Sequence, residues 1–307
     1  MGNGSTSNQS TPVSVSGIST ATSVSTGHYT TCAVLSGGTI KCWGEGGNGQ
    51  LGNGSTSDQS TPVSVSGINT ATLVSPGYTH TCALLSGGTV KCWGEAGNGQ
   101  LGNGSTTDQS TPVSVSNIST AISVSSGYDY SCAVLSSGTV KCWGNAGNGR
   151  LGNGSTFPSQ STPVSVSSIS TATSVSAGKD HTCAVLSGGA VKCWGGGTYG
   201  QLGNGSTSSQ TTPVSVSGIS TATSVSMGSS SSHTCAVLSG GTAKCWGHGA
   251  SGQLGNGSTS NWSTPVSVSG ISTATSVSAG YNHTCAVLSS GTVKCWGYNN
   301  YGQLGNG

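Results

Sequence analysis

Six tryptophans limit what this chain can fold into. Trp43, Trp93, Trp143, Trp194, Trp246 and Trp296 follow one another at intervals of 50, 50, 51, 52 and 50 residues. A self-similar period of that length marks a chain assembled from repeated supersecondary units. Around each Trp runs the same order of segments: Thr-Ser-Val-Ser, a Gly, a short variable stretch, Thr-Cys-Ala-Val-Leu, a Ser/Gly turn, and Thr-Val-Lys-Cys-Trp-Gly. A second variable stretch follows, then Gly-Gln-Leu-Gly-Asn-Gly-Ser-Thr and Thr-Pro-Val-Ser-Val-Ser.

Each unit holds four short segments rich in Val, Thr and Cys and bounded by Gly, Asn or Pro, which is strand chemistry. They are A (Ala21–Ser25), B (Thr31–Leu35), C (Thr39–Trp43) and D (Pro12–Ser16, then Pro62–Ser66). No stretch places apolar residues at helical spacing. Four-stranded units of this length, repeated radially, predict an all-β fold, a six-bladed β-propeller of four-stranded antiparallel blades. The chain opens with a D segment and ends after the sixth C segment, so the N-terminal strand is expected to complete the last blade and close the ring. One domain, 1–307, results, with blades near 21–66, 71–116, 121–167, 172–217, 222–269, and 274–307 together with 1–16. Met1 stands where the other copies have Leu, and no signal peptide precedes it, so the sequence reads as a domain cut from a longer protein.

The pattern Gly-x-x-His-Thr-Cys-Ala-Val-Leu-Ser-x-Gly-Thr-Val-Lys-Cys-Trp-Gly, followed by Gly-Gln-Leu-Gly, resembles the repeat of the regulator of chromosome condensation family. The resemblance covers the whole chain. It extends to a secreted bacterial propeller of this type that inhibits β-lactamase. Well-known family members have seven blades, whereas six repeats are counted here. The resemblance implies a binding protein. The nucleotide exchange that gives the family its name uses a protruding insert, and these blades differ in length by two residues at most, so exchange is not expected.

Twelve cysteines form six pairs ten positions apart: Cys32 with Cys42, Cys82 with Cys92, Cys132 with Cys142, Cys183 with Cys193, Cys235 with Cys245, and Cys285 with Cys295. Each pair flanks the B–C hairpin. Its turn is Ser-Gly-Gly or Ser-Ser-Gly, and of the two glycine positions only the last is constant, as a three-residue loop ending in a left-handed residue requires. That loop sets Cys32 opposite Cys42 in a non-hydrogen-bonded pair, with Cα atoms about 4.5 Å apart, within disulfide reach. Six intra-blade disulfides are predicted, each contributing roughly 2–3 kcal/mol or less. The alternative is twelve buried free thiols behaving as small hydrophobes. Persistent disulfides imply an oxidising compartment and a secreted or cell-surface parent protein.

Charge excludes several functions. Only 5% of residues are charged, with a net charge of +2, which leaves no basic footprint for nucleic acid or an anionic membrane. No apolar run approaches the ~20 residues that span a bilayer, so membrane insertion is not expected. Ten-residue Cys spacing resembles no zinc pattern, and no Ser, Cys or carboxylate partner can be matched to a His such as His181. Neither metal, cofactor nor catalysis is predicted.

The copies differ almost entirely in the A–B and C–D connections, which an up-and-down blade places on one face of the disc. All six acidic residues, all six His, all eight Tyr, Phe157 and Trp262 lie there. Aromatics among Ser, Gly and Asn on a rigid frame have paratope composition. The candidate binding residues are Tyr29, Tyr78, Tyr128, Tyr130, Tyr199, Trp262, Tyr281, Tyr298 and Tyr301. A protein partner for a monomeric scaffold is the first reading. A multivalent glycan-binding module and a structural spacer are the alternatives, and neutral drift of the loops would also produce variation. His80, His181, His233 and His283 are expected to cap the channel or bond a neighbouring blade. Asn-Gly-Ser matches the glycosylation sequon six times, from Asn3 to Asn256, which matters only in a source that glycosylates its exports.

Overall fold

The computed structural model describes all 307 residues. Its strands form six antiparallel sheets in the order A-B-C-D, five of four strands and a last one of three. In blade 1 the strands are Ala21–Thr26, Thr30–Leu35, Ile40–Gly44 and Gln59–Ser64. The A, B and C strands lie where the sequence places them, to within a residue. Strand D begins three residues before Pro62. A bulge beyond Cys42 is the cause: Cys42 pairs with Val63, but Gly44 pairs with Gln59. Pro62 is tolerated inside D because D is the outermost strand.

The B–C hairpin has the predicted register in every blade. Gly38 sits at φ 74°, and Leu35 donates its N–H to the carbonyl of Thr39 at 2.9 Å. Cys32 then faces Cys42, with Cα atoms 4.1 Å apart and the sulfurs bonded. The same bond joins Cys82 to Cys92, Cys132 to Cys142 and Cys183 to Cys193. It also joins Cys235 to Cys245 and Cys285 to Cys295, so no cysteine is free. The Cα atoms of these pairs stand somewhat closer than the 4.5 Å expected of a non-hydrogen-bonded pair, at 4.0 Å for Cys132 and Cys142 and 4.1 Å for the others.

The core lies between blades. Cys82, Leu84, Val90, Cys92, Leu101 and Val115 of blade 2 pack against Val124 and Trp143 of blade 3, the latter fully buried. Its indole donates to the carbonyl of Gln100 at 2.9 Å. Burying such a ring stabilises each seam by about 2–3 kcal/mol. Gly102 lets the linker pass over the indole; its φ is 68° and an added Cβ would stand 2.7 Å from Trp143 Nε1. The lysines of the C strands lie along the sheets. Lys41, Lys141 and Lys294 reach the carbonyls of Gly17, Asn117 and Gly270 in the D–A turns, opposite the variable face.

The last blade departs from expectation. Its strands are Ala274–Ala279, His283–Leu288 and Val293–Gly297, and residues 12–16 neither form a strand nor pair with it. The reason is spatial. The linkers after blades 1 to 4 contact the D strand of the following blade, as in the bond from Gly54 N–H to Ser110 O at 2.9 Å. Gly307 makes the same bond to Ser10 at 3.0 Å, and Gly4 makes it to Ser60 at 3.0 Å. Met1–Gly4 and Leu304–Gly307 are two copies of one turn, and each takes its own place in the ring. The N-terminal segment therefore stands one position beyond blade 6, between it and blade 1.

Candidate functional site

The variable face is drawn together by its backbone. His28 N–H bonds Gly77 O at 3.3 Å, Tyr78 N–H bonds Gly127 O at 3.2 Å, and Tyr128 N–H bonds Gly178 O at 3.2 Å. These bonds link the A–B connections of successive blades around the axis, so the residue after each glycine meets its counterpart next door. Tyr78 and Tyr128 stack at 4.0 Å and 20°. His28 lies 4.7 Å from Tyr78, 4.1 Å from Tyr29 and 6.0 Å from Tyr281. Four of the nine candidate residues thus share one cluster. His28, not among the nine, is at its centre, and its place after Gly27, matching Tyr78, Tyr128 and Tyr281, was the signal.

The other candidates disperse. Tyr298 and Tyr301 lie 6.1 Å apart and line, with His28, Tyr29, Tyr281 and His283, a cavity of about 660 Å³ where blades 5, 6 and 1 approach one another. Tyr199 packs against His248 at 4.9 Å, and Trp262 stands alone, 39% exposed, at the start of a D strand. Tyr130 is no surface residue. It is fully buried and takes the position that His80, His181 and His233 hold in their blades. Its hydroxyl donates to the carbonyl of His181 at 2.6 Å, and burial, first of several causes, pushes that phenol above its usual range.

Those three histidines bond the next blade, as expected. Nε2 of His80 lies 2.8 Å from Ser131 Oγ, that of His181 is 2.7 Å from Thr234 Oγ1, and that of His233 is 2.9 Å from Thr284 Oγ1. Each hydroxyl in turn donates to a linker carbonyl, of Gln100, Gln201 or Gln253. A hydroxyl that donates onward must accept from the ring, which fixes a neutral imidazole protonated at Nε2. Burial holds all three rings down to about 3. His283 is only part-buried, and its ring makes no such bond.

The carboxylates lie in the same connections. Asp58 and Asp108 accept the backbone N–H groups of Gly46 and Ala96, and Glu95 accepts from Thr79. Asp180 forms the single ion pair, 2.9 Å from Arg150, whose guanidinium lies 5.6 Å from the Tyr130 ring. Burial, joined by the charge of Asp58, raises Glu45. Burial raises Asp129 to about 6, against the pull of Arg150. No group of three or more His, Cys, Asp or Glu is placed to hold a metal ion.

Disc, repeat and seam match one family over residues 1–307, that of the RCC1-like domain. The chain belongs to the RCC1-like family. Among solved structures, this RCC1-like propeller is similar to human WBSCR16, with TM-score 0.83 and 22% identity over 97% of this chain and 82% of that one. It is also similar to yeast RCC1 (Prp20) bound to Kap60, with TM-score 0.81 and 20% identity over 93% and 71% of the two chains. The receptor kinase CR4 ectodomain of Physcomitrella patens matches with TM-score 0.58 and 21% identity over 90% and 61%. At these identities the likeness is one of fold. No curated protein matches the sequence. Six disulfides suit an oxidising environment, and no helix is long and apolar enough to cross a membrane.

Proposed function

We propose that this RCC1-like propeller is a non-catalytic scaffold, in an extracellular or cell-surface setting, that takes a protein partner on the face built from its A–B and C–D connections. The observation that carries this reading is the aromatic cluster joining three blades, Tyr29, Tyr78 and Tyr128 with His28 between them. Tyrosine gives large contact area for little lost side-chain freedom, and the disulfide-bonded frame holds it ready. Related propellers support a binding role: Prp20 is seen bound to Kap60, and its reported binding properties concern Gsp1p and histones. The loops differ from blade to blade, which suits one asymmetric interface better than several equivalent ones.

The test is photo-crosslinking in the source cells. A photoreactive residue at position 29 or 301 should give protein adducts, and one at position 37 or 188, in the opposite turns, should give none. Adducts from both faces alike would remove the case for a recognition face. A second reading rests on the cavity between blades 6 and 1: it is lined by Tyr281, Tyr298, Tyr301, Ser229, Asn282 and Gln303 and by no Lys, Arg, Asp or Glu, which also suits a neutral saccharide. Binding to a glycan array that is lost in Tyr298→Ala would favour it.

A further inference from the structure

We infer that the rings of His28, Tyr29, Tyr78 and Tyr128, with the Glu45 carboxylate beside them, seat a cationic side chain, arginine or lysine, of the partner protein. This rests on the protein-recognition reading above and names the chemistry that the site selects.

The first support is the rings themselves. Tyr29 is 55% exposed, and Tyr78 and Tyr128 are half-buried, so the cluster is open to a visitor. The face of an aromatic ring is negative and attracts a cation. His28 adds a fourth ring and no repulsion, because burial lowers its basicity and keeps it neutral at pH 7.

The second support is Glu45. Hydrogen bonding to Tyr128, burial and the charges of Tyr128 and Glu45 hold the Tyr78 phenol above its usual range. Glu45 also acts on Tyr29, after burial and Tyr78. The backbone sets Glu45 beside this cluster, its N–H bonding the Tyr29 carbonyl at 3.1 Å. It has no cation of this chain beside it, since the one ion pair is that of Arg150 and Asp180.

The third support is that pair. In blades 3 and 4 the chain itself sets a guanidinium between a ring and a carboxylate: Arg150 lies 5.6 Å from the Tyr130 ring and meets Asp180 at 2.9 Å. Gln50 and Gln100 stand where Arg150 does in the linkers of blades 1 and 2, so those blades bring no cation of their own to the face.

The fourth is charge distribution. All six acids share the variable connections with Arg150 and Lys179, a formal charge of −4, while the other six lysines belong to the C strands. Three of those lysines are seen bonding the opposite turns. A basic segment is steered toward one side of the disc, and an acidic one toward the other.

The experiment pans a random-peptide library, displayed on phage, against the 307-residue chain and measures the enriched peptides on Glu45→Gln and Tyr78→Leu variants. Peptides bearing Arg or Lys should dominate, weaken as salt rises, and lose about five- to tenfold in affinity on either variant. Glu45→Gln keeps the size of the side chain, so its result stands even if Tyr78→Leu disturbs the stack. Neutral or acidic peptides that lose binding on Tyr78→Leu would overturn the cation seat and leave the recognition face standing. Peptides indifferent to both variants, or no enrichment, would overturn both.

Discussion

His181 donates from Nε2 to the hydroxyl of Thr234, 2.7 Å away in the next blade. Thr234 passes the interaction on to the carbonyl of Gln201, which also receives the indole N–H of Trp246. One linker carbonyl thus holds two donors of the blade that follows. Replacing Thr234 by Val keeps the shape and leaves a buried imidazole N–H without an acceptor. The expected cost is about 1–3 kcal/mol, read as a lower urea midpoint with unchanged slope. A midpoint equal to wild type would mean that the relay contributes nothing.

The same rings govern acid stability. His80, His181 and His233 remain neutral in the folded chain down to about pH 3, while the unfolded chain protonates them below about pH 6.5. Their contribution is complete above that value and is lost as pH falls from about 6.5 toward 3, by up to about 4 kcal/mol per pH unit for three rings. Asp129, raised to about 6, opposes this by taking up one proton in the folded state first. Three outweigh one, so urea midpoints should fall steadily between about pH 6 and 4. A flat or rising series would contradict the buried neutral histidines.

Mild reduction should separate the blades. Ten of the twelve cysteines are fully buried, whereas Cys285 and Cys295 are part-exposed. Short treatment with dithiothreitol and alkylation, mapped by mass spectrometry, should label that pair first, and before reduction no thiol should react. Uniform labelling of all six pairs would show that the blades open together.

Gly102 is expected to tolerate no side chain. Gly102→Ala combines a left-handed backbone, worth about 1–2 kcal/mol, with a Cβ 2.7 Å from Trp143 Nε1. Gly87, which has open space around it, is the control, and Gly87→Ala should melt within a degree or two of wild type by circular dichroism.

The hairpin could be read from sequence because its register depends on a local quantity, the number of residues between Leu35 and Thr39. Strand D was harder, since Pro62 looks like a strand start and the bulge that moves the pairing to Gln59 inserts its extra residues within D, between Gln59 and Val63. The placement of residues 12–16 turned on the two chain ends: Met1–Gly4 and Leu304–Gly307 are the same turn, each seated in its own place, which sets the N-terminal segment one position past blade 6. At the candidate site, composition located the face. It did not separate Tyr78 from Tyr130, because both are tyrosines in one kind of loop. What separates them is position: Tyr78 follows the glycine and faces its neighbour's ring, while Tyr130 opens strand B and points into the seam.

The repeated junction of Trp indole, hydroxyl and linker carbonyl has an evolutionary consequence. Because blades 2 to 6 each present the same two donors to the linker carbonyl of the blade before, any of these blades can follow any other. Unequal recombination between the nearly identical copies can then exchange whole blades, loops included, and each product inherits a junction that already fits. New combinations of loop tips arise by shuffling modules, without the many point substitutions that remodelling one interface would need.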